Sequence, residues 1–467
     1  MAVESQASGM EPPDPSLPRR EFAKAAVALG GTAGLAACLD RRDADPGPGT
    51  RQTGDLTTED GSTSDATPDT VPTGDPGAVP DRQHAWGEYV RRDEHGNALL
   101  PRHQVLLYLT LDGAGPPTDD ERETVATAFH TLERAYAWRH DGLLHSVAYS
   151  PAYFDRFEAS LHDSVDLPPP RALSDFEDPT FDTQDAVVHL ASDRADVLLE
   201  AEQALVGEGE TTSGVAVDAK LTDVATVDSR RTGFVGAGLP ADNQDAAGIP
   251  DSHPVPEASP LFMGFEAGFR GNQATEDYVT IDEGPFAGGT TKTISNLRQR
   301  LDDWYGEQTF DERVAEMFSP SHAEQGLVEG IGDNLGDDSG IDQFLDDVPA
   351  RAREAGRVGH AQKAARANRD EDGNVRLLRR HFESTDDIGS EERVASLHFP
   401  SLQREMSTFE EVRRAMNGAD ITRATPAVRQ RVNNGILEYI FVRRRGNFLV
   451  PPRRYRALPT PRPDSGE

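Results

Sequence analysis

The order of secondary structure elements between residues 104 and 227 is the feature that most constrains the fold. Apolar runs rich in β-branched residues predict four strands, at 104–111, 143–149, 186–191 and 221–227. Apolar residues at helical spacing predict one helix after the first strand and another after the third. Strand, helix, strand, strand, helix, strand is the order of a ferredoxin-like split βαβ unit. The same order recurs more faintly after residue 260, so we expect an α+β fold with two ferredoxin-like units side by side.

Polar residues mark where the two predicted helices begin. Thr118 and Glu121 have the spacing of a capping box ahead of the first helix. Asp193 is the expected N-cap of the second helix, which should end at Gly207. The sequence therefore predicts where both helices begin and where the second one ends.

Acidic residues dominate the charge of the chain, with 81 Asp and Glu against 47 Lys and Arg and a formal net charge of −34. Only four of the basic residues are lysines: Lys24, Lys220, Lys292 and Lys363. An acidic surface that uses arginine in place of lysine is typical of a halophile, where salt screens the self-repulsion. No basic stripe is present to neutralise a phosphate backbone, which argues against a nucleic-acid partner.

The first 38 residues resemble a twin-arginine lipoprotein signal. Arg19 and Arg20 precede a weakly apolar run at 25–37, which is too short to span a bilayer, and Leu35 to Cys38 has the form of a lipobox. We expect export by the twin-arginine pathway and a membrane anchor through lipidated Cys38, on the outer face of the cytoplasmic membrane. The alternative is a chance arginine pair and an inert cysteine. Cys38 is the only cysteine, so disulfides cannot stabilise the chain.

The remaining sequence divides into a tether and two domains. Residues 39–83 are mainly Asp, Thr, Gly, Pro and Ser and are predicted to form a disordered acidic tether. The N-terminal ferredoxin-like domain is placed at 84–255 and the C-terminal one at 256–467. The sequence does not decide between a monomer and a homo-oligomer.

The segment from His360 to Arg380 holds one histidine, an acidic turn and a predicted strand that carries Arg379 back toward that histidine. This order resembles the haem-binding segment of the dye-decolourising peroxidase family. The resemblance extends in order from about residue 86 to 455. It implies haem b in the C-terminal unit, with His360 as the iron ligand and Arg379 above the iron.

Residues 264–268 resemble the family's Gly-x-x-Asp-Gly signature, which lies on the peroxide side of the haem. Gly264 and Gly268 match it, but Ala267 stands where the family has its aspartate, and alanine cannot move a proton between peroxide oxygens. Glu266 is the nearest acid, although in an extended backbone its side chain would point away from the site.

A carboxylate that supports the iron ligand is also implied by the resemblance. Glu405 occupies the position of a family aspartate that accepts the second ring N–H of the histidine, and so it is the expected partner of His360. Elsewhere, the apolar spacing at 294–304 favours a helix, whereas the family has a strand in the first part of this segment. Helix and strand both remain possible there. The spacing at 428–441 predicts a longer helix.

Two functions from different classes follow. The first is an exported peroxidase that oxidises an organic donor with hydrogen peroxide, using Arg379 and Glu266. The second is a haem-binding or iron-acquisition lipoprotein that has lost efficient peroxidation, with Ala267 as the dividing feature. A haem-free ligand-binding lipoprotein is a third reading. Motifs of serine hydrolases, zinc proteases, P-loop and dinucleotide-binding proteins do not occur.

Overall fold

The computed structural model describes residues 70–388 and 392–463, which contain one continuous ten-stranded sheet. Eight of its strands form two four-stranded antiparallel parts, which we call the first and second sheets. The strands of the first sheet are β1 (His103–Leu111), β2 (Leu144–Tyr149), β3 (Ala186–Ser192) and β4 (Ala225–Phe234). Those of the second are β5 (Thr290–Gln299), β6 (Phe382–Asp386), β7 (Arg393–Gln403) and β8 (Ile440–Val450). The spatial orders β4-β1-β3-β2 and β8-β5-β7-β6 are those of ferredoxin-like units. The predicted α+β fold with two such units is confirmed.

The two sheets are joined at both edges into a closed ring. Glu383 of β6 pairs with Phe234 of β4, and Leu449 of β8 pairs with Tyr149 of β2. Two short strands are added to the ring. Thr180–Phe181 pairs with β8, and Leu378–Arg379 pairs with β7. Both edges of each sheet are therefore occupied, which removes the exposed strand edges that favour aggregation.

The helices pack on the sheets or on one another. They are α1 (Asp119–Ala135), α2 (Pro151–Phe154), α3 (Ala195–Val206), α4 (Glu276–Val279), α5 (Asp302–Gly306), α6 (Phe310–Met317), α7 (Pro320–Glu324), α8 (Val348–Ala355), α9 (His360–Ala365), α10 (Met406–Met416) and α11 (Ala419–Ala424). Phe129 of α1 and Leu198 of α3 are fully buried against the first sheet. None of the helices in this part of the chain is both long and apolar enough to cross a bilayer.

The predicted cap of α1 is confirmed, whereas that of α3 is wrong. Thr118 and Glu121 form a complete capping box. At α3 the N-cap residue is Arg194, and Asp193 accepts a hydrogen bond from the backbone N–H of Arg102 at 2.9 Å instead. The local pattern assigned the Asp193 carboxylate to the N-terminus of α3, but this carboxylate binds the segment at Arg102 instead.

One strand boundary, one open choice and one predicted helix are decided by the structure. The predicted strand at 221–227 begins only at Ala225, after a short 3-10 turn. The open choice at 294–304 is settled as strand through Gln299 because β5 is hydrogen-bonded on both sides, by β7 and β8, before α5 begins. The helix predicted at 428–441 is wrong, since Asn433 and Gly435 have left-handed φ angles of 55° and 61°, which interrupt a helix.

The C-terminal part of the predicted tether belongs to the folded body. The carbonyl of Pro72 accepts a hydrogen bond from Ala137 at 2.9 Å. The side chain of Gln83 is fully buried and bonds the backbone of Val147 and Pro451. The segment is therefore bound to the folded body at Pro72 and at Gln83. The predicted signal, Cys38 and residues 39–69 lie outside the described residues.

Candidate functional site

A cavity of about 420 Å³ lies in the C-terminal unit, between the second sheet and helices α9 and α10. Its wall is mainly apolar, with aromatic side chains from the sheet, the helices and the loops before them: Phe176, Phe265, Phe269, Phe318, Phe399, Phe409 and Phe441. Its volume is within the range of small-molecule and cofactor sites. The cavity can therefore take a large apolar ligand.

His360 is the first residue of α9 and lines this cavity. Its Nδ1 atom is buried and has no hydrogen-bond partner among the described residues. Burial, followed by the charges of Lys363 and Arg379, lowers the pKa of His360 to about 3. The ring is therefore neutral at physiological pH, as a histidine that ligates a metal must be.

The turn at residues 434–435 fixes the start of α9. A Cβ atom at Gly435 would lie 2.9 Å from the backbone nitrogen of His360, so only glycine permits this approach. Lys363, one turn after His360, is fully buried and donates from Nζ to the backbone and side-chain oxygens of Asn434, both at 2.7 Å. Sequence reasoning missed Lys363 and Gly435, because their role depends on two segments about 70 residues apart.

Arg379 reaches the same cavity from the short strand beside β7. Strand alternation directs Arg379, His381 and Glu383 to the cavity, whereas Arg380 faces the other side and lies 4.5 Å from the ring of Trp86. Burial lowers the pKa of Arg379 to about 10, which still leaves it cationic. His360 and Arg379, singled out from the sequence, are thus brought to one cavity.

The loop at 264–268 forms another part of the cavity wall. Gly264 and Gly268 have φ angles of 86° and 87°, which favour glycine. This segment is a loop and not an extended strand, so the condition under which Glu266 would point away is not met, and Glu266 and Ala267 both line the cavity. Burial, with the nearby charges of Asp93 and Asp333, raises the pKa of Glu266 to about 7.

The predicted contact between Glu405 and His360 is absent. Glu405 is exposed, lies at the N-cap of α10 and does not line the cavity. Strand β7 continues to Gln403, and the chain turns there into α10, which leaves the Glu405 side chain in solvent. Among the described residues no carboxylate accepts a hydrogen bond from Nδ1 of His360.

Two polar residues of the cavity were not predicted as site residues. The ring of His381 stacks on Phe399, with centroids 5.9 Å apart. Glu383 accepts a hydrogen bond from the backbone of Phe262 at 2.8 Å and another from Gln299, and burial raises its pKa to about 8. Continuing the alternation two and four residues beyond Arg379 would have identified both.

Arginines supply the positive charge of the wall. Arg431 lies 3.9 Å from the ring of Phe441, Arg443 is exposed, and Arg445 is paired with Glu177. Within the described ranges, no group of three or more His, Cys, Asp or Glu side chains is placed to hold a bare metal ion. The arginines of the wall favour a ligand that carries acidic groups.

One protein-family model matches this chain. The family model described as a family of unknown function, DUF7405, matches residues 101–452. No curated protein matches the chain significantly. Membership of the dye-decolourising peroxidase family is not confirmed by a family model.

Solved structures of similar fold include several DyP-type peroxidases. The encapsulated enzyme from Mycobacterium smegmatis is 16% identical, with a TM-score of 0.49 and coverage of 78% of this chain and 97% of that one. A DypB variant from Rhodococcus jostii RHA1 in complex with haem is 18% identical, with a TM-score of 0.49 and coverage of 80% and 98%. The dye-decolorizing protein from V. cholerae is 14% identical, with a TM-score of 0.46 and coverage of 79% and 97%. At this level of identity the similarity concerns the fold alone.

Proposed function

Because the chain belongs to DUF7405, a family of unknown function, we propose its function from the site: it is a haem-dependent peroxidase that oxidises an organic donor with hydrogen peroxide. The observation that carries this proposal is that His360 and Arg379, from separate elements, line one apolar cavity. One is a neutral imidazole able to bind a metal, and the other is a fixed cation.

The residues present fit haem b. The cavity is large and apolar, and the neutral imidazole of His360 lines it. Arg431 and Arg443 are cations of the wall that can hold the two carboxylates of the haem. His360 would be the iron ligand, and bound haem would supply the redox chemistry with peroxide.

The remaining chemistry belongs to side chains of the chain. Hydrogen peroxide takes two electrons from the donor and two protons to become two water molecules, and negative charge develops on oxygen as the O–O bond breaks. In this proposal Arg379 stabilises that charge, an effect of about 3 to 4 kcal/mol for a well-placed donor. Ala267 cannot move the proton from one oxygen to the other, so Glu266 or another polar residue of the cavity must do so.

A haem-binding lipoprotein with a role in iron acquisition is the second candidate. Two observations favour it: Ala267 replaces the expected acid, and Glu405 does not reach His360. A carboxylate on the second ring nitrogen makes a histidine ligand more basic and favours the higher oxidation states of iron. Its absence favours holding haem over rapid peroxide turnover.

The location is proposed from the N-terminal sequence. Arg19, Arg20 and the lipobox that ends at Cys38 support export by the twin-arginine pathway and a lipid anchor. This pathway carries folded proteins, which agrees with a chain that takes up its cofactor before export.

Haem reconstitution at high salt tests the proposal. Titration with haem should give a Soret band that saturates at one haem per chain. In His360→Ala this band should no longer have the wavelength that is typical of haem with a histidine ligand. His398→Ala is the matched control, because His398 is buried in the same unit but lies outside the cavity wall. Peroxide-dependent oxidation of an organic dye supports the peroxidase. A stable Soret band without turnover supports the haem carrier, and no Soret band excludes both.

A further inference from the structure

His381 and Arg379 are held on the same side of one extended segment. The two residues are separated only by Arg380, whose side chain faces the opposite side toward Trp86. Both His381 and Arg379 line the cavity. A molecule bound next to the guanidinium of Arg379 is therefore near the imidazole of His381 as well.

The His381 ring has a fixed orientation and an unused polar atom. It stacks nearly parallel on Phe399, with an interplanar angle of 16°. Its Nδ1 atom is buried without a hydrogen-bond partner in the described residues. Other buried histidines of the described chain also have an unpartnered ring nitrogen, but of these only His360 and His381 line the cavity, where a bound molecule can reach the ring.

The imidazole is also in its neutral state. Burial first, and then the charge of Arg379, lowers the pKa of His381 to about 3. A neutral imidazole has a free lone pair, so it can accept a proton from a bound molecule. Arg379 beside it remains cationic and cannot take that role.

We propose that His381 is the proton-transfer residue for peroxide, in the role that Ala267 cannot fill; this rests on the proposed haem peroxidase. With haem bound, His381 would accept the proton of one peroxide oxygen and return it to the other, which would leave as water. Arg379 stabilises the charge on the departing oxygen. No proton is gained or lost by the protein over the step.

Glu266 is the competing candidate for the same role. It lies on the loop at 264–268 and also lines the cavity, but the charges that act on it are those of Asp93 and Asp333. Glu266 and His381 line the cavity from different segments, the loop at 264–268 and the extended segment after Arg379, so single substitutions separate the two candidates.

Cyanide binding tests the proposal without peroxide turnover. Hydrogen cyanide binds ferric haem as the anion, and a nearby base must accept its proton. The rate of cyanide binding to the reconstituted full-length chain would be followed at neutral pH by the Soret shift in stopped flow. His381→Gln and His381→Asn should slow it by about a hundredfold or more, the usual contribution of a general base.

Matched variants separate the outcomes. His398→Gln, which changes a buried histidine of the neighbouring strand that does not line the cavity, should bind cyanide at the wild-type rate. Ala267→Asp should restore part of the rate in the His381→Gln background. The Soret band and the melting temperature of each variant report haem binding and folding independently.

Two results would overturn the assignment. If Glu266→Gln lowers the rate and the His381 variants do not, the proton acceptor is Glu266. If the resting haem of the wild type is six-coordinate and low-spin and becomes five-coordinate in His381→Gln, His381 is a second iron ligand. If no haem binds to the wild type, the proposed function itself fails, which the Soret titration shows beforehand.

Discussion

Gln273 and Arg379 are joined by three hydrogen bonds. The side-chain oxygen of Gln273 accepts from the backbone N–H of Arg379 at 3.0 Å and from its Nε at 3.3 Å, and Nε2 of Gln273 donates to the carbonyl of Arg379 at 3.1 Å. The carbonyl of Asn272 accepts from the guanidinium at 3.2 Å. The segment after the 264–268 loop therefore orients the cation of the candidate site.

Replacing this amide should loosen the arginine. In Gln273→Leu the guanidinium loses an acceptor, so the rate of peroxide consumption by the reconstituted protein should fall about tenfold, since small misplacements of a reacting group are costly. Haem affinity should not change. The exposed Gln343→Leu serves as the control. Equal rates for both variants would show that Gln273 does not position Arg379 for this reaction.

Removing the charge should cost more than misplacing it. We expect Arg379→Leu to lower the peroxide rate by about a hundredfold to a thousandfold, the usual loss for one donor to a developing oxyanion. The Soret band should persist, because the iron ligand is unchanged. Arg376→Leu, three residues earlier and ion-paired with Glu411, is the control. A wild-type rate in Arg379→Leu would remove this arginine from the mechanism.

A buried ion pair should make a large contribution to stability. Asp182 is 1% exposed and accepts hydrogen bonds from Arg231, at 2.6 and 2.8 Å, and from Arg444 at 2.7 Å. Asp182→Asn leaves the fully buried Arg231 without its countercharge and should lower the free energy of unfolding by about 3 to 5 kcal/mol. Denaturant unfolding at constant salt measures this. The exposed Asp119→Asn should change little, and an equal loss in both variants would contradict the expectation.

Glu383 should make the protein less stable as the pH rises. Burial raises the pKa of this carboxyl from 4.5 to about 8 in the folded chain. Between these values the unfolded chain has lost the proton that the folded chain keeps, so raising the pH favours unfolding. The stabilisation is complete below about pH 4.5 and is lost as the pH approaches 8, with a slope of up to about 1.4 kcal/mol per pH unit.

Glu383→Gln should remove this slope. The measurement is the free energy of unfolding from pH 5 to 8 in the wild type and the variant, because the difference between the two curves isolates this group. The exposed Glu123→Gln is the control. Parallel curves for wild type and Glu383→Gln would mean that Glu383 titrates alike in the folded and unfolded chain.

Export should depend on the arginine pair. Changing Arg19 and Arg20 together to lysine should leave the precursor in the cytoplasm, since the pathway reads arginine at both positions. Cys38→Ala should still be exported but should lose its lipid. Fractionation of membrane, cytoplasm and medium measures both outcomes. Normal export of the double lysine variant would refute the twin-arginine prediction.

Local pattern was sufficient for much of the first unit. The strands β1, β2 and β3 and the capping box at Thr118 and Glu121 were predicted close to their observed bounds, because periodicity and capping depend on neighbouring residues. The pattern failed at 428–441, where left-handed residues such as Gly435 are required by packing on His360. A contact between segments so far apart leaves no local signal.

The candidate site, like the fold, was predictable from the sequence only in part. By itself the sequence determined the order of elements and the acidic charge, whereas the resemblance to a known family singled out His360 and Arg379. Only the tertiary structure decided that Glu405 lies in solvent and that His381 and Glu383 join Arg379 at the cavity. The reason is physical: residue type and spacing specify what a side chain can do, but its burial and partners depend on which distant strands and helices pack around it.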